Sequence, residues 1–166
     1  MKKRRIVIIK KVIILLTAAL VAFGCAAQTN NQQMDNIQEL CTFIQEAGYY
    51  SLATVEGDQP HVRAFSSVAI IDGKLYITTS KSKNVFKHLD ANGKFELLAL
   101  KRDMTWVRVT GKLVSDDTAK ERFLEQHPHL RNAYYRDSLD DMAVLYIAPL
   151  AKAVYTIKGQ EHTVEL

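Results

Sequence analysis

Apolar residues recur along this chain at two spacings. Ile37, Leu40, Cys41, Ile44 and Ala47 step by three and four, the signature of one helical face. Asp35 stands ahead of that stripe as a cap and Gly48 behind it as a stop, which predicts a helix from Asp35 to about Ala47. From Tyr49 the step shortens to two. Residues 49–56, 61–71, 74–80, 94–100, 104–114, 142–148 and 151–157 alternate or run apolar and predict strands, the last two separated only around Pro149. Gly57-Asp58-Gln59-Pro60, Asp72-Gly73 and Arg102-Asp103 supply turns. Short helices are predicted from Ser82, as cap, to Asn92-Gly93; from Ser115 to about Gln126, broken by Pro128; and over 130–136. The tail 158–166 is polar and predicts no element.

Hairpin turns dominate, and no series of strand, long helix and strand appears. The pattern argues against a doubly wound sheet. It predicts a mainly β (α+β) domain, an antiparallel barrel of about six strands with short peripheral helices. Alternation then assigns faces. Val62, Ala64, Val68 and Ile70 share one face of the 61–71 run, and His61, Arg63, Phe65 and Ser67 are expected on the outward one. In the longest strand Val107, Val109, Gly111 and Leu113 face one way, and Trp106, Arg108, Thr110 and Lys112 the other. A lone tryptophan on a polar face covers a ligand or a partner subunit, unless it packs on a helix of its own chain.

The first 24 residues stand apart from this pattern. They carry six lysines and arginines and no acid, followed by an apolar run over 12–24 that is too short for a comfortable membrane span. Ala22-Phe23-Gly24-Cys25 resembles the cleavage site of a bacterial lipoprotein signal, with Gly24 and Cys25 fitting well and Phe23 atypical. The expected partition is a signal peptide over 1–24, a polar tether over 25–34 that starts at a lipidated Cys25, and a domain over 35–166. Lipidation would anchor the protein to a membrane outside the cytoplasm, in the cell envelope. Of 22 basic residues, 16 lie beyond position 24 against 18 acidic ones, so the domain is slightly acidic and a nucleic-acid role has little support. Cys41 has no partner once Cys25 is lipidated, and its place in the helical stripe predicts a buried small residue.

Candidate chemistry concentrates in His61 to Asn84. The second strand there ends in Thr78-Thr79-Ser80-Lys81-Ser82-Lys83, ahead of a helix start and one hairpin away from Arg63. Hydroxyls, ammonium groups, an arginine and free helix N–H groups together suit a phosphate monoester. Elsewhere the chain offers less. No Ser-His-Asp or Cys-His arrangement stands out, and no metal motif is strong. His127-Pro128-His129 reads as a surface loop, and His61 and His88 have no evident partner.

The segments LATVEGDQPHVRAF (52–65), GKLYITTS (73–80), KNVFKHL (83–89) and WVRVTGK (106–112) resemble the pyridoxamine 5'-phosphate oxidase-like, FMN-binding split β-barrel proteins, in particular their small general-stress-like members. The resemblance implies FMN in a groove between two barrels of a homodimer. It implies Arg63 at the flavin phosphate or ring edge, Thr78, Thr79 and Ser80 beside the flavin, Ser82 and Lys83 in the phosphate loop, and Trp106 approaching the cofactor from the long strand. Departures are Ala64 where many relatives have proline and Ser66 where many have glycine. The tail KGQEHTVEL lacks the arginines and histidine that hold substrate phosphate in true pyridoxamine phosphate oxidases, so that reaction is not expected. The reading is a flavin-dependent oxidoreductase of unassigned substrate, with no catalytic side chain identified because the flavin would supply the chemistry. Deazaflavin or haem are the alternative cofactors, and a non-catalytic flavin- or haem-binding envelope protein is the alternative function. A degenerate barrel acting as an interaction module is a third reading, disfavoured by Arg63, Lys83 and the hydroxyl loop.

Overall fold

In a computed structural model, residues 31–136, 138–157 and 159–166 are described, and Met34–Leu166 form one unit. The signal segment, Cys25 and the tether up to residue 30 lie outside the described residues.

Helix α1 (31–47) lays one apolar face on the core and leaves its polar face exposed. Its stripe Ile37, Leu40, Cys41 and Ile44 is buried, joined by Phe43. The helix is already under way at residue 31, so Asp35 lies inside it and does not cap it, and 31–34 are helical, not tether. It stops at Gly48 as expected, whose N–H reaches back to the carbonyls of Ile44 and Gln45.

Among the described residues there are nine strands, where about six were expected: β1 (Tyr50–Glu56), β2 (Gln59–Phe65), β3 (Val68–Ile71), β4 (Lys74–Ser80), β5 (Lys94–Leu100), β6 (Trp106–Ser115), β7 (Met142–Ile147), β8 (Lys152–Ile157) and β9 (Gln160–Glu165). Every pairing is antiparallel, in the order β2-β1-β5-β6-β7-β4-β3, with β8 on β6 and β9 on β8. The path is not closed. β6 joins its two halves: Trp106–Thr110 lies between β5 and β8, and Leu113–Ser115 turns over to pair with β7. This is a split barrel, as the alternation and turns predicted in class.

Three differences from the sequence reading are physical. The run 61–71 is two strands, broken at Ser66-Ser67, because β2 pairs with β1 in one half of the barrel and β3 pairs with β4 in the other. The turn before β2 is only Gly57-Asp58, so Gln59 and Pro60 already belong to the strand, with Pro60 tolerated because β2 is an edge. The polar tail makes strand β9, since its backbone completes a hairpin with β8 and Leu166 is buried at its end.

Asp72 and Gly73 both take positive φ, the geometry of a two-residue hairpin turn. Helix α2 (Asn84–Asn92) follows β4 and ends at Gly93, which adopts φ 69° and donates to the Leu89 carbonyl. A short 3-10 turn (Asp117–Ala119), capped by Asp116, leads into α3 (Lys120–Gln126). Helix α4 (Pro128–Tyr134) takes Pro128 into its first turn. These last helices cover a second apolar cluster on the outer side of β3, β4 and β7, with Phe123, Leu130, Tyr135, Tyr76 and Met142 buried together. Cys41 is buried and free, and burial pushes its thiol up.

Candidate functional site

A cavity of about 290 Å³ opens where β2 and β3 part. Arg63, Ala64 and Phe65 from the end of β2 form one wall, with Ser66 and Ser67 from the break. Thr78 and Thr79 of β4 form the floor with Lys83 and Val85 at the start of α2. Leu130, Tyr134 and Tyr135 of α4 close the far side. Of the residues named from sequence, the structure therefore brings Arg63, Thr78, Thr79 and Lys83 to one cavity. Ser80, Ser82 and Trp106 are not among its lining.

Arg63 does not face outward. The register Tyr50↔Phe65, Leu52↔Arg63, Thr54↔His61 places it on the inner face of the sheet, while Val62 is 66% exposed. Alternation alone sends the apolar set inward, but the space under β2 is covered by α2, which presents the buried His88 there. The guanidinium is held on its protein side. Nη1 donates to Thr54 Oγ1 at 2.7 Å and to the His61 carbonyl at 3.3 Å, and Nη2 lies 3.3 Å from His88 Nδ1. These contacts orient the group at the cavity edge in the way a planar fork requires. His61 and His88 thus have partners that their positions in sequence do not reveal.

The hydroxyl loop is built differently from the expectation. Ser82 does not cap α2; Lys83 occupies the cap position and makes no side-chain cap bond. Asp141, from the segment before β7, takes the Ser82 N–H at 2.8 Å and the Ser82 hydroxyl at 3.0 Å. The bond from the Ser82 N–H, with those from the Ser82 and Ser80 hydroxyls and the charge of Lys83, holds the Asp141 carboxyl below the usual carboxylate range. Lys81 pairs with Asp117 at 2.6 Å. Loop polar groups engaged with carboxylates leave Lys83 as the cation of this loop on the cavity. Thr78 donates its hydroxyl to the Ala143 carbonyl, and Tyr135 donates to the Thr79 carbonyl, so both walls are fixed to the barrel.

Trp106 is half-buried at the start of β6, with Arg108 over its ring at 5.5 Å. It shares the outer sheet face with the exposed Leu98 and Leu100 of β5. His127-Pro128-His129 is a junction of two helices, not a loop, with His127 Nε2 2.9 Å from the Val68 carbonyl. Sequence reasoning missed Ser66 and Ser67, whose departure from strand geometry makes the cavity, and Tyr134 and Tyr135. The pair Ser66-Ser67 inside an apolar run was the available signal for the break.

Residues 37–151 match the model of the family described as pyridoxamine 5'-phosphate oxidase. A NimC/NimA family protein of Clostridium acetobutylicum is 36% identical, with 84% of this chain and 98% of that one covered and a TM-score of 0.76. General Stress Protein 26 of Bacillus anthracis is 21% identical, with 80% and 98% covered and a TM-score of 0.60. The same fold recurs in a haem-binding protein of Mycobacterium smegmatis (14% identity, 74% and 57% covered, TM-score 0.58) and a FAD-binding protein of Mesorhizobium loti (13%, 70% and 93%, 0.51). No curated protein matches the sequence. With more than half its length matched by the family model and a 36% identical relative spanned almost end to end, the chain belongs to the pyridoxamine 5'-phosphate oxidase family.

Proposed function

We propose that the cavity between β2, β4 and α4 binds FMN and that the protein is a flavin-dependent oxidoreductase. The observation that carries this is the meeting of Arg63, Lys83 and the N-terminal end of α2 at one opening, also lined by the hydroxyls of Ser66 and Ser67. A phosphate monoester needs this donor set: a fork, a point charge, hydroxyls and free helix N–H groups. Ser80 and Ser82 serve the site indirectly, by tying the loop that carries Lys83 to Asp141. Tyr134 and Phe65 offer aromatic faces beside an isoalloxazine ring. Bound FMN would supply hydride or electron transfer, while the chain's residues hold the phosphate, orient the ring and shield one side of it.

The cavity volume is at the low end for ligand pockets, which run roughly 300–1,000 Å³. It suits the phosphate and part of the ring better than the whole cofactor. A second copy of the chain completes the site in this proposal. Val62, Leu98 and Leu100 are exposed on the outer face of the sheet that carries Trp106, an apolar surface suited to a homodimer. Flavin is favoured over haem because no histidine lines the cavity among the described residues, leaving tyrosine as the only common axial ligand type there. We also propose that Cys25 is the lipid anchor of an envelope protein.

An absorbance spectrum of the purified full chain, before and after incubation with FMN and desalting, tests the cofactor. Flavin bands that survive desalting are the expected result. A haem band, or no retained chromophore, would overturn the proposal.

A further inference from the structure

Behind the cavity, three side chains meet that the flavin reading does not use. Glu56 ends β1, His61 stands on β2 beyond the Gly57-Asp58 turn, and His88 projects from α2. Nε2 of His61 lies 3.5 Å from Glu56 Oε2, and Nε2 of His88 lies 3.4 Å from the same oxygen. All three ligand atoms fall within 4.8 Å of one another, and the two rings are 4.9 Å apart at their centroids. His88 is only 4% exposed, and its Nε2 makes no hydrogen bond among the described residues. A buried imidazole nitrogen aimed at a carboxylate and a second imidazole, without a bond of its own, is an unusual arrangement for a merely structural histidine.

We propose that Glu56, His61 and His88 form a binding site for a divalent transition-metal ion of the zinc type. The two carboxylate-to-imidazole spacings support a shared ion. Zinc bound at about 2.0–2.2 Å to imidazole nitrogen and carboxylate oxygen, with tetrahedral angles, sets its ligand atoms roughly 3.3–3.5 Å apart. Both N···O separations have that length. Two imidazoles and a carboxylate are an established zinc donor set, and they leave one position for water. Outer contacts also fit. His88 Nδ1 sits 3.0 Å from Thr54 Oγ1, so a proton on Nδ1 can be donated to that hydroxyl oxygen, which leaves the Nε2 lone pair facing the ion. Arg63 Nη2, 3.3 Å from the same Nδ1, belongs to the opposite tautomer. Metal ligation therefore releases Nη2 while Nη1 keeps its bond to Thr54. Entry is open from solvent, because Glu56 is exposed and His61 is partly so.

Glu56 and His61 are the residues to change, since their exposure spares the fold; truncation of buried His88 would confound binding with folding. Chelator-stripped full chain without a histidine tag is titrated with zinc against a chromophoric chelator. The expected result is one zinc per chain, with affinity lowered at least tenfold in Glu56→Gln and in His61→Ala and unchanged in the exposed control His129→Ala. Absence of stoichiometric zinc binding, or undiminished affinity in the Glu56→Gln/His61→Ala double variant, would overturn the proposal. Neither readout depends on flavin.

Discussion

Asp141 holds Ser82 twice, one carboxylate oxygen on its backbone N–H at 2.8 Å and the other on its hydroxyl at 3.0 Å. The residues are 59 positions apart in sequence, and their contact pins the loop between β4 and α2 to the segment entering β7. Lys83, one residue further, owes its place on the cavity to this clasp.

The clasp is pH-dependent. The Asp141 carboxyl is held below its ordinary range, chiefly by the Ser82 N–H, and Asp116 and Asp117 are held low by Thr118 and by Lys81 respectively. A depressed carboxyl stabilises the fold above the unfolded-state value, near 3.9, and that contribution is lost as pH falls through the lower folded-state values. Melting temperature should be flat through neutral pH and drop below about pH 4. Asp141→Asn should lower the neutral plateau and shrink the acid drop; an identical pH profile for the variant would refute the clasp.

Arg63 and Lys83 should contribute separately to flavin affinity. Charged hydrogen bonds to phosphate are worth about 1.5–3 kcal/mol each, so the Arg63→Ala/Lys83→Ala double variant should lose several kcal/mol in an FMN titration. Arg63→Lys should recover only part of the loss, because it keeps the charge and not the fork. Full affinity in the double variant would remove the phosphate from this cavity.

Tyr135 ties α4 to the floor of the site. Its buried hydroxyl donates to the Thr79 carbonyl at 3.1 Å, and its ring belongs to the second core with Leu130 and Phe123. Tyr135→Phe should cost about 0.5–1.5 kcal/mol in urea unfolding, the ordinary worth of one hydrogen bond. Phe123→Ala, which empties a fully buried position in the same cluster, should cost about 3–5 kcal/mol. Equal effects of the two would mean that the hydroxyl matters far beyond one bond.

Gly111 marks the crossing of β6 over the start of β8. A Cβ there would sit 2.8 Å from the Ala151 Cβ and 3.3 Å from its Cα. Gly111→Ala should destabilise the barrel by about 1–3 kcal/mol, the usual cost of overpacking. Thermal unfolding measures it, and a neutral result would show that the Ala151 backbone yields freely.

Cys25 lies outside the described residues, and its role is proposed from sequence alone. Cys25→Ser should abolish labelling by a radioactive fatty acid and move the protein out of the membrane fraction. Labelling that persists in the variant would place the anchor elsewhere.

Sequence by itself determined the class of this protein. Periods of two and 3.6 are local properties of the backbone, so α1, β5, the Asp72-Gly73 turn and the α2 stop at Gly93 were legible from their own residues. The segments around Arg63, Thr78 and Lys83 also sufficed to name the family. What the alternation could not decide was which face of a strand is inside. That depends on what covers it, and only the assembled barrel showed that α2 covers β2 and turns Arg63 inward. Long-range polar pairing was equally out of reach: Asp141 on Ser82, and Glu56 with His61 and His88, join groups brought together by strand order and not by spacing. Tertiary structure decided these because a carboxylate or imidazole carries no periodicity, and its partner is fixed by register and packing alone.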